Sequence, residues 1–86
     1  MRTVFSVHFQ KDLKKIIKKN PGYKKKITAS IEKLMENPQH PSLRLQKLSG
    51  QHNWSISLDR SIRMIFRYEE NTLYFTRIGT HDELYM

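Results

Sequence analysis

The sequence predicts an α+β fold in which helices pack on one face of a four-stranded sheet. Three observations predict it: apolar residues at helical spacing in the first half of the chain, apolar residues alternating with polar ones in the second half, and separators of three or four residues between the alternating segments. Connections that short join antiparallel neighbours. We therefore expect a single domain, residues 1–86, built from an N-terminal strand, a helical hairpin and a three-stranded antiparallel meander.

The first half of the chain carries one strand signal and two helix signals. Residues Thr3–Val7 are mostly β-branched or aromatic, which is typical of a strand. The first helix ends at Asn20-Pro21-Gly22, because proline cannot continue the helical hydrogen bonds, and the second helix spans about Tyr23–Glu36. The residues expected on the two apolar faces are Phe9, Leu13, Ile16 and Ile17 in the first helix, and Ile27, Ile31, Leu34 and Met35 in the second.

The second half begins with an irregular connection, Gln39–His52, whose leucines Leu43, Leu45 and Leu48 we expect under the helices. The apolar period then becomes two, which predicts strands over residues 54–58, 62–68 and 73–78. We expect Trp54, at the start of the first of these strands, to belong to the core. The sheet face away from the helices stays open to solvent or to a ligand.

Arginines mark that open face. Arg63 and Arg67 point away from the helices on the middle strand of the meander, and Arg60 lies in the turn before it. Arg77 shares the parity of the apolar Phe75, so it reaches this face only if a bulge or the end of the strand brings it around. Guanidinium groups match phosphate oxygens, and the face is therefore predicted to bind phosphate.

The charge of the chain also points to a polyanionic partner. Sixteen Lys and Arg residues against eight Asp and Glu residues give a net charge of +8 in 86 residues. Nucleic acid is the usual partner of so basic a chain, although a lysine-rich surface also serves solubility. The absence of cysteine excludes disulfides and cysteine-based zinc sites. No apolar run is long enough to span a membrane, so we expect a cytoplasmic protein, and we predict neither a metal nor another cofactor.

Lysines cluster on the solvent side of the predicted hairpin, with Asp12 as the only acid among them. An ordinary exposed helix face mixes charges of both signs, so we interpret the cluster as a contact surface for RNA that does not read sequence. The residues expected to contact RNA or the ribosome are Lys11, Lys14, Lys15, Lys18, Lys24, Lys25, Lys26 and Lys47.

The C-terminal segment, "RIGTHDELYM", combines a cation with a titratable side chain. Arg77 ends the last strand, Gly79 permits a bend, and one helical turn would bring His81 and Tyr85 to the same side. Cleaving RNA without a metal requires a base for the 2′-OH, cations around the phosphate and an acid for the departing 5′-oxygen. His81 is the residue of this segment best suited to exchange protons near neutral pH.

Four stretches carry a family resemblance: "FQKDLKKIIKK", "LQKLSG", "WSISLDRSIRMIFRY" and "RIGTHDELY". Through them nearly the whole chain resembles the RelE/ParE toxin superfamily, and its Arg-x-Gly-Thr-His ending followed by an aromatic residue is most similar to the YafQ-type branch. The resemblance implies a RelE-like, microbial-ribonuclease-like fold. It also implies a ribosome-dependent endoribonuclease that cleaves messenger RNA by 2′-OH attack and is held silent by an antitoxin.

The same resemblance implies roles for particular residues. Arg77 would contact the scissile phosphate, His81 would transfer protons, and Tyr85 would stack on or orient the substrate. Arg60 and Arg63 match basic positions of the family. The sequence departs from the YafQ-type pattern at Ser57, where those proteins carry a histidine. The acid–base partner of His81 therefore stays open among His52, Asp82, Glu83 and Tyr85.

Two other functions fit the basic composition. A ParE-like toxin would inhibit DNA gyrase without catalytic residues, and a plain RNA-binding module would bind RNA in a salt-sensitive way without product. The terminal histidine favours the nuclease. For either toxin we expect a partner encoded beside it, an acidic antitoxin whose segment covers the basic surface in a hetero-oligomer.

Overall fold

The computed structural model describes residues 1–50 and 52–85. Its elements, in chain order, are β1 (Arg2–Phe5), α1 (Val7–Lys19), α2 (Tyr23–Glu36), a 3-10 turn (Pro41–Leu43), β2 (Gln46–Lys47), β3 (Asn53–Ser57), β4 (Ile62–Glu69), β5 (Thr72–Thr80) and α3 (His81–Tyr85). The predicted α+β class is confirmed, with a strand, a helical hairpin and an antiparallel meander in the expected order. None of the helices in the described ranges is long and apolar enough to cross a membrane.

The sheet has the strand order β1-β5-β4-β3-β2. Strand β1 runs parallel to β5 at one edge, and the other pairs are antiparallel. The two-residue strand β2 at the opposite edge was not predicted, because Gln46 and Lys47 are both polar and too few to show an alternating pattern. It adds a fifth strand to the four expected.

Helix α1 begins earlier than the sequence suggested. The side chain of Ser6 accepts a hydrogen bond from the backbone N–H of Phe9 at 3.0 Å, which makes Ser6 the N-cap. The prediction that the first strand continues to Val7 is therefore wrong, and Val7 lies exposed in the first helical turn. An N-cap serine placed between two apolar residues looks like part of an alternating strand.

The core lies between the helices and the inner face of the sheet. Phe9, Ile27 and Leu34 from the helices meet the inward side chains of β3, β4 and β5, and Trp54 packs partly buried against this cluster, as predicted. Two residues of the expected stripes differ: Met35 is exposed, and Ile17 lines a groove of about 500 Å³ between α1 and α2.

A β-bulge in β5 decides which way Arg77 faces. Phe75 lies opposite Phe66 and Arg77 lies opposite Ile65, so Thr76 is the additional residue between these two pairs. The hydroxyl of Ser6 donates to the carbonyl of Thr76 at 3.1 Å, and the hydroxyl of Thr76 donates to the carbonyl of Ile65 at 3.3 Å. Because of the bulge, the alternation of side chains along β5 is shifted by one residue after Phe75. Arg77 therefore points to the open face of the sheet, although Phe75, two residues earlier, points to the core.

Candidate active site

The C-terminal helix α3 begins with a capping box. The backbone N–H of Glu83 donates to the hydroxyl of Thr80 at 3.2 Å, and the Glu83 carboxylate accepts a hydrogen bond from the backbone N–H of Thr80 at 2.8 Å. Hydrogen bonding of the carboxylate to the backbone N–H of Thr80 first, and to the Thr80 side chain second, lowers the pKa of Glu83 below its ordinary value. The pattern Thr-His-Asp-Glu therefore fixes where the helix starts, and it places His81 in the first helical position.

Gly79 has a different role from the bend expected of it. It lies within β5, opposite Arg63, and the strand continues to Thr80. A Cβ atom on Gly79 would come within 2.9 Å of Oε1 of Glu83 and 3.5 Å of Cδ2 of Leu84. The glycine is needed because α3 packs directly against the strand at this point.

Helix α3 brings His81 and Tyr85 together, as the spacing predicted. Their ring centroids are 4.7 Å apart at an interplanar angle of 43°. The side chain of His81 is 76% exposed, so its imidazole is open to a ligand. Tyr85 lies over the open face of the sheet, where it lines a shallow depression together with Leu48 and Ile65. The expectation that Leu48 lies under the helices is therefore wrong.

Arg63 is held by hydrogen bonds on the open face. Its Nε and Nη2 atoms donate to the hydroxyl of Ser55 at 3.2 and 2.9 Å, and Nη2 also donates to the carbonyl of Arg44 at 3.0 Å. Ser55 is fully buried on the neighbouring strand β3. The guanidinium group is thus anchored on one side.

Arg77 is anchored by an ion pair with α1. Its Nε donates to Oδ2 of Asp12 at 2.8 Å, and its Nη2 lies 3.4 Å from Oδ1. The same Oδ2 accepts the backbone N–H of Ile78 at 3.1 Å. Both side chains are partly buried, at 30% exposure for Arg77 and 13% for Asp12.

The strand register relates the two arginines to the C-terminal helix. Arg63 lies opposite Gly79 and Ile65 lies opposite Arg77, so the two arginines are diagonal neighbours on one face, with their Cα atoms roughly 7–8 Å apart across the two strands. Two residues after Gly79, α3 begins at His81. Arg60 lies exposed in the bend before β4, at the end of the sheet where α3 starts.

The structure separates the four suggested partners of His81. His52 lies beside Glu69 at the far end of β4, with Nε2 3.7 Å from Oε1, and the length of that strand places it about 20 Å from the start of α3. The Glu83 carboxylate is engaged by Thr80. Asp82, with Oδ1 4.0 Å from Nδ1 of His81, and Tyr85 are the two that stay close.

The lysines predicted to contact RNA lie in two separate places. We call the exposed lysines of α1 and of the first turn of α2 the lysine face; it comprises Lys11, Lys14, Lys15, Lys18, Lys19, Lys24, Lys25 and Lys26. Within it Lys26 forms an ion pair with Asp59 at 3.6 Å, and the charge of Lys15 contributes to the lowered pKa of Glu83. Lys47 lies apart on β2, at the opposite edge of the sheet, with its Nζ 4.5 Å from the centroid of the Trp54 ring.

A hydrogen-bond network ties the helical hairpin to the bend that carries Arg60. The hydroxyl of Tyr23 donates to Asp59 at 2.7 Å, and Asp59 also accepts the backbone N–H groups of Ser61 and Ile62. Burial favours a higher pKa for Asp59, yet these hydrogen bonds prevail and lower it, while the pKa of Tyr23 is raised by its hydrogen bond to Asp59. The bend is fixed in position by this network.

Sequence reasoning missed Asp12 and Ser55 as partners of the two arginines. Asp12 gave a signal, since it is the lone acid among the lysines of the hairpin. Ser55 gave none, because a serine on the polar side of an alternating strand is unremarkable. Across residues 1–50 and 52–85, no group of three or more His, Asp or Glu side chains could hold a metal ion.

Comparison with solved structures defines the class. YafQ from E. coli strain BL21(DE3) superposes with a TM-score of 0.83 over 100% of both chains at 21% identity, and a chain of an E. coli DinJ–YafQ complex superposes with a TM-score of 0.84 over 100% of both chains at 22% identity. A metal-bound toxin from Helicobacter pylori superposes with 0.87 over 99% of both chains at 26% identity. The fold is that of the RelE-type toxins.

The family follows from the sequence itself. Residues 1–86 match the family described as the bacterial toxin of type II toxin–antitoxin systems, YafQ. The chain therefore belongs to the YafQ toxin family, as the C-terminal motif indicated. No curated protein matches the sequence significantly.

Proposed function

We propose that this toxin is a metal-independent endoribonuclease, a single RelE-like domain over residues 1–86 that cleaves messenger RNA on the ribosome and so inhibits translation. One observation carries the proposal: two anchored guanidinium groups, Arg63 and Arg77, share the sheet face beside the helix that presents an exposed His81. Phosphate binding and proton exchange are the two requirements of RNA cleavage without a metal.

The chemistry assigned to these groups is an in-line displacement. A base removes the proton of the 2′-OH, the 2′-oxygen attacks phosphorus, and the bond from phosphorus to the 5′-oxygen breaks as that oxygen gains a proton. The products are a 2′,3′-cyclic phosphate and a 5′-hydroxyl. Arg63 and Arg77 stabilise the charge on the phosphate oxygens, with Arg60 as a further cation, and His81 exchanges protons, with Asp82 or Tyr85 as its neighbour.

The shape of the surface supports dependence on the ribosome. The depression beside Tyr85 is shallow and open, so the protein alone holds a substrate weakly, and reaction then depends on a second body that fixes the RNA. The lysine face is suited to ribosomal RNA, because it gathers positive charge without base-reading geometry. Lys47 would make a separate contact. We expect free RNA to be cleaved poorly.

The proposed inhibitor is an acidic antitoxin that covers the basic surface in a toxin–antitoxin hetero-oligomer. Support comes from the family and from a solved relative, the DinJ–YafQ complex of E. coli. A segment with negative charge would be attracted to the lysine face and to the open sheet face alike.

Replacement of His81 tests the nuclease. The exposed imidazole supports little packing, so His81→Ala should fold as the parent does, while message cleavage on ribosomes falls by about 100-fold or more. Cleavage ends mapped in a translation lysate give the rate, and thermal unfolding gives the control. Undiminished cleavage by His81→Ala would refute the assignment. Inhibition of gyrase supercoiling without message cleavage would instead identify a ParE-like toxin.

A further inference from the structure

Asp12 occupies an unusual position for an acid. It lies on α1 within the lysine face, where a negative charge weakens the attraction of a polyanion. Its carboxylate is nevertheless turned inward, 13% exposed, and both oxygens are engaged by β5. The carboxylate of Asp12 therefore contacts the sheet and Arg77, and the lysines beside it on α1 stay available to a ligand.

The sheet edge explains why a carboxylate fits there. Strand β1 pairs with β5 only as far as Phe5 opposite Phe75, so no strand within residues 1–50 and 52–85 pairs with that edge of β5 beyond this point. There the Asp12 carboxylate, in place of a partner strand, accepts a hydrogen bond from the backbone N–H of Ile78 at 3.1 Å. The same oxygen receives Nε of Arg77 at 2.8 Å. One side chain thus fixes both the backbone and the guanidinium after the bulge.

We propose that Asp12 is a positioning residue for Arg77 in the cleavage reaction, an inference that rests on the proposed function. The contacts with Asp12 occupy one edge of the guanidinium and leave its other N–H groups free for phosphate oxygens. A long, flexible side chain held in this way loses less conformational freedom when the phosphate binds. Asp12 itself does not touch the substrate.

If Asp12 masked Arg77 or served only the fold, its replacement would give different results. If the ion pair with Asp12 masked Arg77, the carboxylate would compete with the phosphate, and its removal would accelerate cleavage. If Asp12 served only the fold, its removal would lower stability, and its effect on cleavage would be the same whether or not Arg77 is present.

A double-mutant cycle separates these roles. The variants are Asp12→Asn, which keeps the shape and an acceptor oxygen, Arg77→Ala and the combination of both. We expect Asp12→Asn to slow single-turnover cleavage on saturated ribosomes by about 10- to 100-fold, as misplacement of a binding group does. The double variant should be no slower than Arg77→Ala alone. Glu32→Gln, an exposed acid on α2, controls for the change in net charge.

Two kinetic results would overturn the inference: unchanged or faster cleavage by Asp12→Asn, or losses that simply multiply in the double variant. Failure of the parent protein to cleave would remove the proposed function instead. The ion pair is then tested without activity, through the exchange of the Arg77 Nε proton with water measured by NMR. That proton should exchange slowly in the parent and at least about 10-fold faster in Asp12→Asn, because the carboxylate that protects it is lost. Equal exchange in both would also contradict the assignment.

Discussion

Ser55, fully buried on β3, accepts two hydrogen bonds from the guanidinium of Arg63, one from Nε at 3.2 Å and one from Nη2 at 2.9 Å. The carbonyl of Arg44 accepts a third, so the plane of the guanidinium is fixed by neighbours from two directions. Arg63 and Arg77 are thus each anchored by a short polar side chain from a different part of the fold, Ser55 and Asp12.

The first prediction concerns this anchor. Ser55→Ala removes the acceptor without changing the backbone, and Arg63 then loses two of its hydrogen bonds. We expect cleavage on the ribosome to slow by about 10-fold, with a loss of about 1 kcal/mol in the free energy of unfolding, since Arg63 regains contacts with water. Single-turnover cleavage and urea unfolding measure the two effects. Ser61→Ala, at an exposed position in the bend, should leave both unchanged, and an equal loss there would contradict the assignment.

The sequence could predict the orientation of Arg63 but not its anchor. The period of two places Arg63 and Ser55 on the open face, because alternation is a local property of each strand. The contact between them depends on how β3 and β4 are aligned, and the chain does not express this locally. The fold class and the open face were therefore predictable, while the fixed geometry of the guanidinium was not.

Arg77 shows the same limit more strongly. Its orientation follows from a bulge held by Ser6, which is 70 positions away from Thr76, and its partner Asp12 is 65 positions away. The alternation of side chains along the strand predicted only that Arg77 needs a bulge, or the end of the strand, to reach the open face. The approach of His81 to Tyr85, in contrast, is a helical spacing of four residues, and the sequence predicted it directly.

The second prediction concerns the pH dependence of α3. The pKa of Glu83 is lowered from its ordinary value of 4.5 by its hydrogen bonds with Thr80. A carboxyl group whose pKa is lower in the folded state stabilises that state above the unfolded pKa, and this contribution is lost as the pH falls through the folded pKa. We therefore expect α3 to loosen below about pH 4.5, while the sheet remains folded.

NMR measures both parts of this prediction. The carboxyl carbon of Glu83 reports its titration, and the Cα shifts of residues 81–85 report the helix. In Glu83→Gln the amide oxygen can still accept from Thr80 but does not titrate, so the helix should show no transition in this range. A transition of the same size in that variant would assign the pH effect to another group.

The third prediction concerns the lysine face. Replacement of Lys14, Lys15 and Lys18 by glutamine removes three charges from α1 at exposed positions. We expect weaker ribosome binding, with the salt dependence of log K reduced by about 0.7–0.9 for each lysine that contacts a phosphate. The single-turnover rate on saturated ribosomes should stay near that of the parent, because these residues bind and do not take part in the reaction.

Lys33→Gln provides the matched control for this series. Like the three replaced lysines of α1, Lys33 is exposed. It lies in the last turn of α2, where its Nζ contacts the hydroxyl of Ser42 at 3.3 Å. It should change neither affinity nor salt dependence. Ribosome affinity measured over a range of salt concentrations tests whether the lysine face binds the ribosome. A salt slope left unchanged by the triple replacement would show that the ribosome is contacted elsewhere.

The fourth prediction separates the ring of Tyr85 from its hydroxyl. The ring lies 4.7 Å from that of His81 and over the open face, whereas Asp82 is the other close neighbour of the imidazole. If Tyr85 stacks on the substrate, Tyr85→Phe should cleave within about two-fold of the parent, and Tyr85→Ala should lose about 10-fold or more, since stacking contributes about 1–3 kcal/mol per base.

The comparison of the two variants also bears on the acid–base partner of His81. Equal losses in Tyr85→Phe and Tyr85→Ala would mean that the hydroxyl donates a proton in the reaction, and the pH–rate profile of Tyr85→Phe would then lose its alkaline limb. If Tyr85→Phe stays active, Asp82→Asn becomes the decisive variant, because Asp82 is the other of the two candidate partners that lie close to the imidazole. Thermal unfolding of each variant excludes a loss of fold, which is expected to be small because α3 lies at the surface and contributes no buried side chain to the core.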